Sequence, residues 1–138
     1  MFDVKRLLEA ALKARTYAYA PYSQFAVGAA VLTSSGEIFS GCNVENASYG
    51  LTVCAERVAA FAAVASGSRE LVAIALVADL PYPPLPCGAC RQVLSEFNPT
   101  MWVVCANLEG QQRCFRLDEL LPEAFGPDFQ RVQKNKQA

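Results

Sequence analysis

The sequence predicts an α/β domain in which a single sheet is covered by helices on both faces. Helical stretches alternate with apolar runs of strand length, and Pro, Gly and Ser clusters separate the two kinds of segment. At 53% hydrophobic content, 138 residues can bury one ordinary core without disulfide staples.

Asp3 suits an N-cap, and Val4, Leu7, Leu8, Ala11 and Leu12 recur at helical spacing, so a first helix is expected to end near Tyr19, before Pro21. Phe25 to Thr33 and Glu37 to Val44 flank Ser34-Ser35-Gly36 and read as a hairpin. Glu45 to Val53 is polar and small, a loop. Cys54 to Ala65 is an alanine-rich helix that stops at Ser66-Gly67-Ser68. Leu71 to Ala78 is a strand, and the stretch holding Pro81, Pro83, Pro84 and Pro86 is a stiff loop. Pro86 then suits the start of a helix over Cys87 to Phe97. Met101 to Ala106 and Gln112 to Leu117 form two short strands turned at Glu109-Gly110, before a short last helix. Residues 1–128 are expected to make one domain, and 129–138 a polar, frayed tail.

Composition removes several functions. With 12 Lys plus Arg against 13 Asp plus Glu, the chain has no basic field to gather phosphate backbones, so no nucleic-acid partner is expected. Charges interrupt the N-terminal apolar residues and no segment reads as a membrane span, so the expected location is the cytoplasm. The absence of histidine excludes Ser-His and Cys-His catalysis and every zinc site built on imidazole. Any metal chemistry must use thiolates or carboxylates.

Cys54-Ala55-Glu56-Arg57 opens one predicted helix and Pro86-Cys87-Gly88-Ala89-Cys90 another. Two helix N-termini facing one point offer unpaired amides and positive dipole ends, which favour thiolate over thiol. Three thiolates suit Zn²⁺ and leave its fourth position for water, the pattern of a catalytic site. Glu56 projects from the same first turn and is placed to carry protons. Three thiolates on one dication leave a net negative charge, for which Arg57 and Arg91 are the available cations; Arg57 is expected to donate hydrogen bonds to the ligand sulfurs. Two plainer readings stand beside this one. Cys87 and Cys90 could be a redox pair, or Cys42 could close a structural zinc site. Cys105 and Cys114, in apolar strands, read as buried small hydrophobes.

The two cysteine segments resemble the signature of zinc-dependent cytidine deaminases. Pro21-Tyr22-Ser23, Phe25-Ala26-Val27-Gly28-Ala29, Gly41-Cys42-Asn43-Val44-Glu45-Asn46-Ala47, Cys90-Arg91-Gln92 and Leu120-Leu121-Pro122-Glu123-Ala124-Phe125-Gly126-Pro127 extend the resemblance to the small homotetrameric type. It implies a three-layer α/β/α fold with a five-stranded mixed sheet. It also implies one zinc ion per subunit on Cys54, Cys87 and Cys90, with zinc-bound hydroxide attacking carbon 4 of cytidine or deoxycytidine to release ammonia, a step of pyrimidine salvage. Glu56 would move protons between the water, ring nitrogen 3 and the amino group. Phe25, Asn43, Glu45 and Ala55 would contact the nucleoside, and Tyr49 and Phe125 would reach into a neighbouring subunit's site. Three other functions remain open on the sequence: deamination of a related nucleoside such as blasticidin S, polynucleotide editing, and a zinc-stabilised binding module without chemistry.

Overall fold

A computed structural model of the chain describes residues 2–126. Helix α1 (Val4–Arg15) is capped by Asp3, whose carboxylate accepts from the Arg6 amide at 3.1 Å. It stops short of the expected Tyr19. The Thr16 hydroxyl donates to the Lys13 carbonyl, and the Tyr19 backbone donates to the Asn43 carbonyl and accepts from the Glu45 amide. Those backbone groups find partners in a distant loop, which removes them from the helix ladder.

Strands β1 (Val27–Thr33) and β2 (Ile38–Cys42) form the expected antiparallel hairpin, with Gly28 opposite Cys42 and Leu32 opposite Ile38. A single 3-10 turn (Tyr49–Leu51) lies in the loop before α2 (Ala55–Ala65). There follow β3 (Leu71–Ala78), α3 (Gly88–Phe97), β4 (Trp102–Asn107), β5 (Gln112–Arg116) and α4 (Leu117–Leu120). The five strands lie in the order β2-β1-β3-β4-β5, and only the β3–β4 pair is parallel, so the sheet is mixed. Helix α3 supplies the crossover that a parallel pair needs. The tail expected over 129–138 lies outside the described residues.

The alternation of side chains along the strands divides the core in two. Leu7 and Ala11 of α1 pack on Ala30, Ala73, Ala75 and Val77 on one face. On the other, Ala55, Ala59, Ala60 and Ala63 of α2 and Leu94 of α3 pack on Val31, Ile74, Leu76 and Val103. This is the three-layer α/β/α arrangement. Two glycines set how closely the layers approach. A Cβ on Gly28 would lie 1.9 Å from the Ala11 carbonyl oxygen of α1, and one on Gly41 would lie 2.5 Å from the Ala59 nitrogen of α2. Glycine at position 41 therefore lets the N-terminal half of α2 rest directly on the sheet. Cys105 is buried as expected, but Cys114 is exposed, because β5 is an edge strand with four of its five residues open to solvent. Among the described residues no helix is long and apolar enough to cross a membrane.

Candidate metal centre

Cys54 is the N-cap residue of α2, Cys87 that of α3, and Cys90 lies in the first turn of α3. The sheet thus aims two helix starts at one point, and neither start is capped by a side chain. The three sulfurs all lie within 4.8 Å of one another, with Cys54 and Cys87 at 3.8 Å. A tetrahedral zinc ion about 2.3 Å from each sulfur requires sulfurs about 3.8 Å apart, so this trio suits it in spacing and in donor chemistry. Cys42 does not belong to the trio.

The electrostatics favour thiolate at one corner of the trio. Cys54 is drawn down to about 5, chiefly by the hydrogen bond from the Cys90 thiol, which outweighs its burial; Arg57 and Cys87 add to the effect. Cys90 is pushed up for the complementary reason, since its proton is held by Cys54 and it is buried. Arg57 Nη2 donates to the Cys54 sulfur at 3.4 Å, and that contact raises the guanidinium further above its ordinary value. Arg91 does not share this task. Its Nε donates to the Pro86 carbonyl at 2.7 Å and its Nη1 to the Leu120 carbonyl at 2.8 Å, so it ties the cysteine-bearing loop to α4.

Glu56 is the second residue of α2, in its first turn, and is only 4% exposed. Burial pushes its carboxyl up to about 6. It opens with Cys54, Ala55 and Cys87 onto a cavity of about 220 Å³ that also includes Phe25, Asn43 and Glu45. Eight of the sequence-predicted residues therefore converge: the three cysteines with Glu56, Ala55, Phe25, Asn43 and Glu45. Arg57 stands behind them. Tyr49 and Phe125 lie outside this cavity in the single chain, 73% and 82% exposed. Tyr49 packs edge-on against Tyr22 with ring centroids 5.7 Å apart, and the Phe125 carbonyl accepts from Gln92 Nε2 at 2.9 Å.

The loops that carry Phe25, Asn43 and Glu45 are hydrogen-bonded to each other. Asn43 Oδ1 accepts from the Val27 amide at 2.9 Å, and its Nδ2 donates to the Phe25 carbonyl at 2.8 Å. Glu45 accepts from the Tyr22 and Ser23 amides and from the Ser23 hydroxyl, and these bonds, the hydroxyl first, hold its carboxyl below the usual carboxylate range. Sequence reasoning assigned no role to Ser23, Thr52, Leu76, Pro84 or Leu85, all of which line the cavity. The local signal for Ser23 was its place two residues before Phe25, where a hydroxyl accepts from the backbone amide. A larger groove of about 530 Å³ follows α1 on the opposite face, lined by Val4, Leu8, Leu12 and Val77, and holds no cysteine.

Residues 1–106 match the family described as the cytidine and deoxycytidylate deaminase zinc-binding region. The cytidine deaminase of Sporosarcina psychrophila is 50% identical over 127 residues, 91% of this chain and 93% of the relative. That of Halalkalibacterium halodurans is 52% identical over 124 residues, 89% of this chain and 94% of the relative. The crystal structure of the cytidine deaminase from Burkholderia pseudomallei superposes with a TM-score of 0.88 at 54% identity, covering 90% of this chain and all of that one.

Proposed function

Because the chain belongs to the cytidine and deoxycytidylate deaminase family of zinc-dependent hydrolases, we propose that residues 1–128 form one domain that converts cytidine and deoxycytidine to uridine and deoxyuridine with release of ammonia. The observation that carries this reading is the buried Glu56 carboxyl beside three converging cysteine sulfurs, at the end of a cavity of nucleoside-base size. Cys54, Cys87 and Cys90 would hold the zinc ion, which would supply a Lewis acid that makes water nucleophilic at neutral pH.

The remaining work falls to the chain's own groups. Glu56 takes one proton from the attacking water and delivers it to ring nitrogen 3 as the C–O bond forms at carbon 4. It then carries the remaining proton from that oxygen to the amino group, so that the C–N bond breaks with loss of ammonia and the carbonyl forms. The Arg57 guanidinium offsets the negative charge of the thiolates. Phe25 presents an aromatic face to the base, Ala55 lines the cavity floor, and Glu45 accepts from a sugar hydroxyl. Asn43 acts on the substrate partly through Phe25, whose carbonyl it holds. No Lys or Arg is among the residues lining the cavity, and the Glu45 carboxylate would repel a phosphate, which favours the nucleoside over the nucleotide.

The outer surface of α2 supports the reading of a homotetramer with shared sites. After Arg57 this helix carries no charged residue, and Phe61 on it is 48% exposed. A helix apolar on all sides is normally buried, and a second copy of the chain would cover it. Tyr49 and Phe125, exposed in the single chain, would then enter neighbouring pockets. Six free cysteines, three of them serving as metal ligands, suit a reducing compartment and hence the cytoplasm.

The test is to follow cytidine absorbance and released ammonia with the protein as purified, after metal removal and after zinc is restored. Zinc-dependent conversion to uridine is expected. A folded, zinc-replete protein that leaves cytidine unchanged would overturn the assignment.

A further inference from the structure

Resting on the reading of Glu45 as the acceptor for a sugar hydroxyl, we propose that Ser23 is the positioning residue that fixes this carboxylate for the sugar. Glu45 is held by donors from a single short segment. The amides of Tyr22 and Ser23 donate to Oε1 at 2.9 and 3.0 Å, and the Ser23 hydroxyl donates to Oε2. A carboxylate has about four lone-pair sites. Three are taken, and one on Oε2 remains for a substrate hydroxyl.

Ser23 itself is nearly saturated. Its one hydroxyl hydrogen goes to Glu45 and one lone pair goes to the Phe25 amide at 3.1 Å, so it acts on the sugar through Glu45. The turn that makes this possible is under strain. Gln24, between Ser23 and Phe25, has φ 58, a left-handed conformation that costs a non-glycine residue about 1 kcal/mol or more. No strand or helix covers residues 21–25; beyond the Gln24 amide, which donates to the Ala20 carbonyl at 2.9 Å, the segment is held through the side chains of Ser23, Asn43 and Glu45. The two ends of the array are anchored separately. Phe25 keeps its tie to Asn43 whether or not Ser23 is present, whereas Glu45 loses its one bond to Oε2. Removing the hydroxyl should therefore disturb sugar binding and spare the base.

The experiment compares kcat and KM for cytidine and for 2′,3′-dideoxycytidine, which keeps the base and lacks both hydroxyls, in the zinc-loaded parent, Ser23→Ala and Ser23→Thr. The parent should prefer cytidine. Ser23→Ala should raise KM for cytidine about tenfold, the effect of one lost charge-assisted hydrogen bond, with kcat changed by less than about twofold and the dideoxy substrate unaffected. Ser23→Thr, which keeps the hydroxyl, should restore the preference. A Ser23→Ala protein that retains the parent's preference, or that loses kcat equally on both substrates, would overturn the role of Ser23. A parent that does not distinguish the two substrates would overturn the reading of Glu45, and the proposal with it.

Discussion

Replacing Gly41 by alanine tests whether close seating of α2 on the sheet sets the geometry of the metal centre. A Cβ at this position would stand 2.5 Å from the Ala59 nitrogen and 2.9 Å from the Ala55 carbonyl oxygen, both backbone atoms that cannot swing aside. Ordinary contact begins at 3.4 Å, so α2 must retreat by about 0.9 Å. That helix carries Cys54 and Glu56, while Cys87 and Cys90 belong to α3. Retreat would open the 3.8 Å spacing between Cys54 and Cys87 and misalign Glu56 with the substrate. Overpacking of this kind costs about 1–3 kcal/mol of stability, and a misplacement near 1 Å about 10²-fold in rate. The assay combines thermal unfolding, zinc affinity by chelator competition, and kcat/KM for cytidine. Gly28→Ala is the control. Its clash is worse, 1.9 Å from the Ala11 carbonyl oxygen, but it displaces α1 on the opposite face, so molecules that stay folded should keep their zinc affinity. Gly41→Ala with lowered stability but unchanged zinc affinity and turnover would refute the reasoning.

Three other perturbations have definite outcomes. Cys105 is buried, and burial pushes its thiol up to about 12 from an ordinary 9.0. A raised folded value gives stability that is complete below the unfolded value and lost as pH rises, so between pH 9 and 12 this thiol should cost about 1.4 kcal/mol per pH unit. Denaturant unfolding of Cys105→Ala should show a shallower alkaline slope, and equal slopes would contradict the assignment. Arg57→Ala removes the donor to the Cys54 sulfur and should weaken zinc binding about 10- to 100-fold in chelator competition. Unchanged affinity would leave charge compensation to the helix ends alone. Mixing inactive Phe125→Ala and Glu56→Ala subunits should restore activity if sites are shared, and verified mixed tetramers without activity would count against sharing.

The parts of the fold legible in the sequence are those fixed by burial and local chemistry. The run Leu71–Ala78 is uninterrupted because β3 is the central strand, buried on both faces, and its observed ends coincide with the expected ones. Cys54 and Cys87 are readable as helix starts because Ser-Gly-Ser and proline punctuation bounds their helices. Long-range backbone pairing is what the sequence hides. The end of α1 depends on Tyr19 meeting the Asn43–Glu45 loop, and the exposure of Cys114 depends on β5 lying at an edge. The same limit applies at the site. Arg91 directly follows Cys90 while Arg57 lies three residues after Cys54, yet it is Arg57 that faces a sulfur and Arg91 that faces two carbonyls. The bonds of Asn43 to Val27 and Phe25 and of Ser23 to Glu45 run across loops, which no spacing rule encodes.

The central claim is that two helix starts hold one zinc ion beside a carboxyl that moves protons. Metal content by plasma emission and turnover of cytidine, measured on the parent and on Glu56→Gln, test it most directly. The predicted result is one zinc per chain in both proteins, retained binding of cytidine, and turnover of the variant lower by at least about 10²-fold. A Glu56→Gln protein with full zinc content that deaminates cytidine at the parent's rate would contradict it.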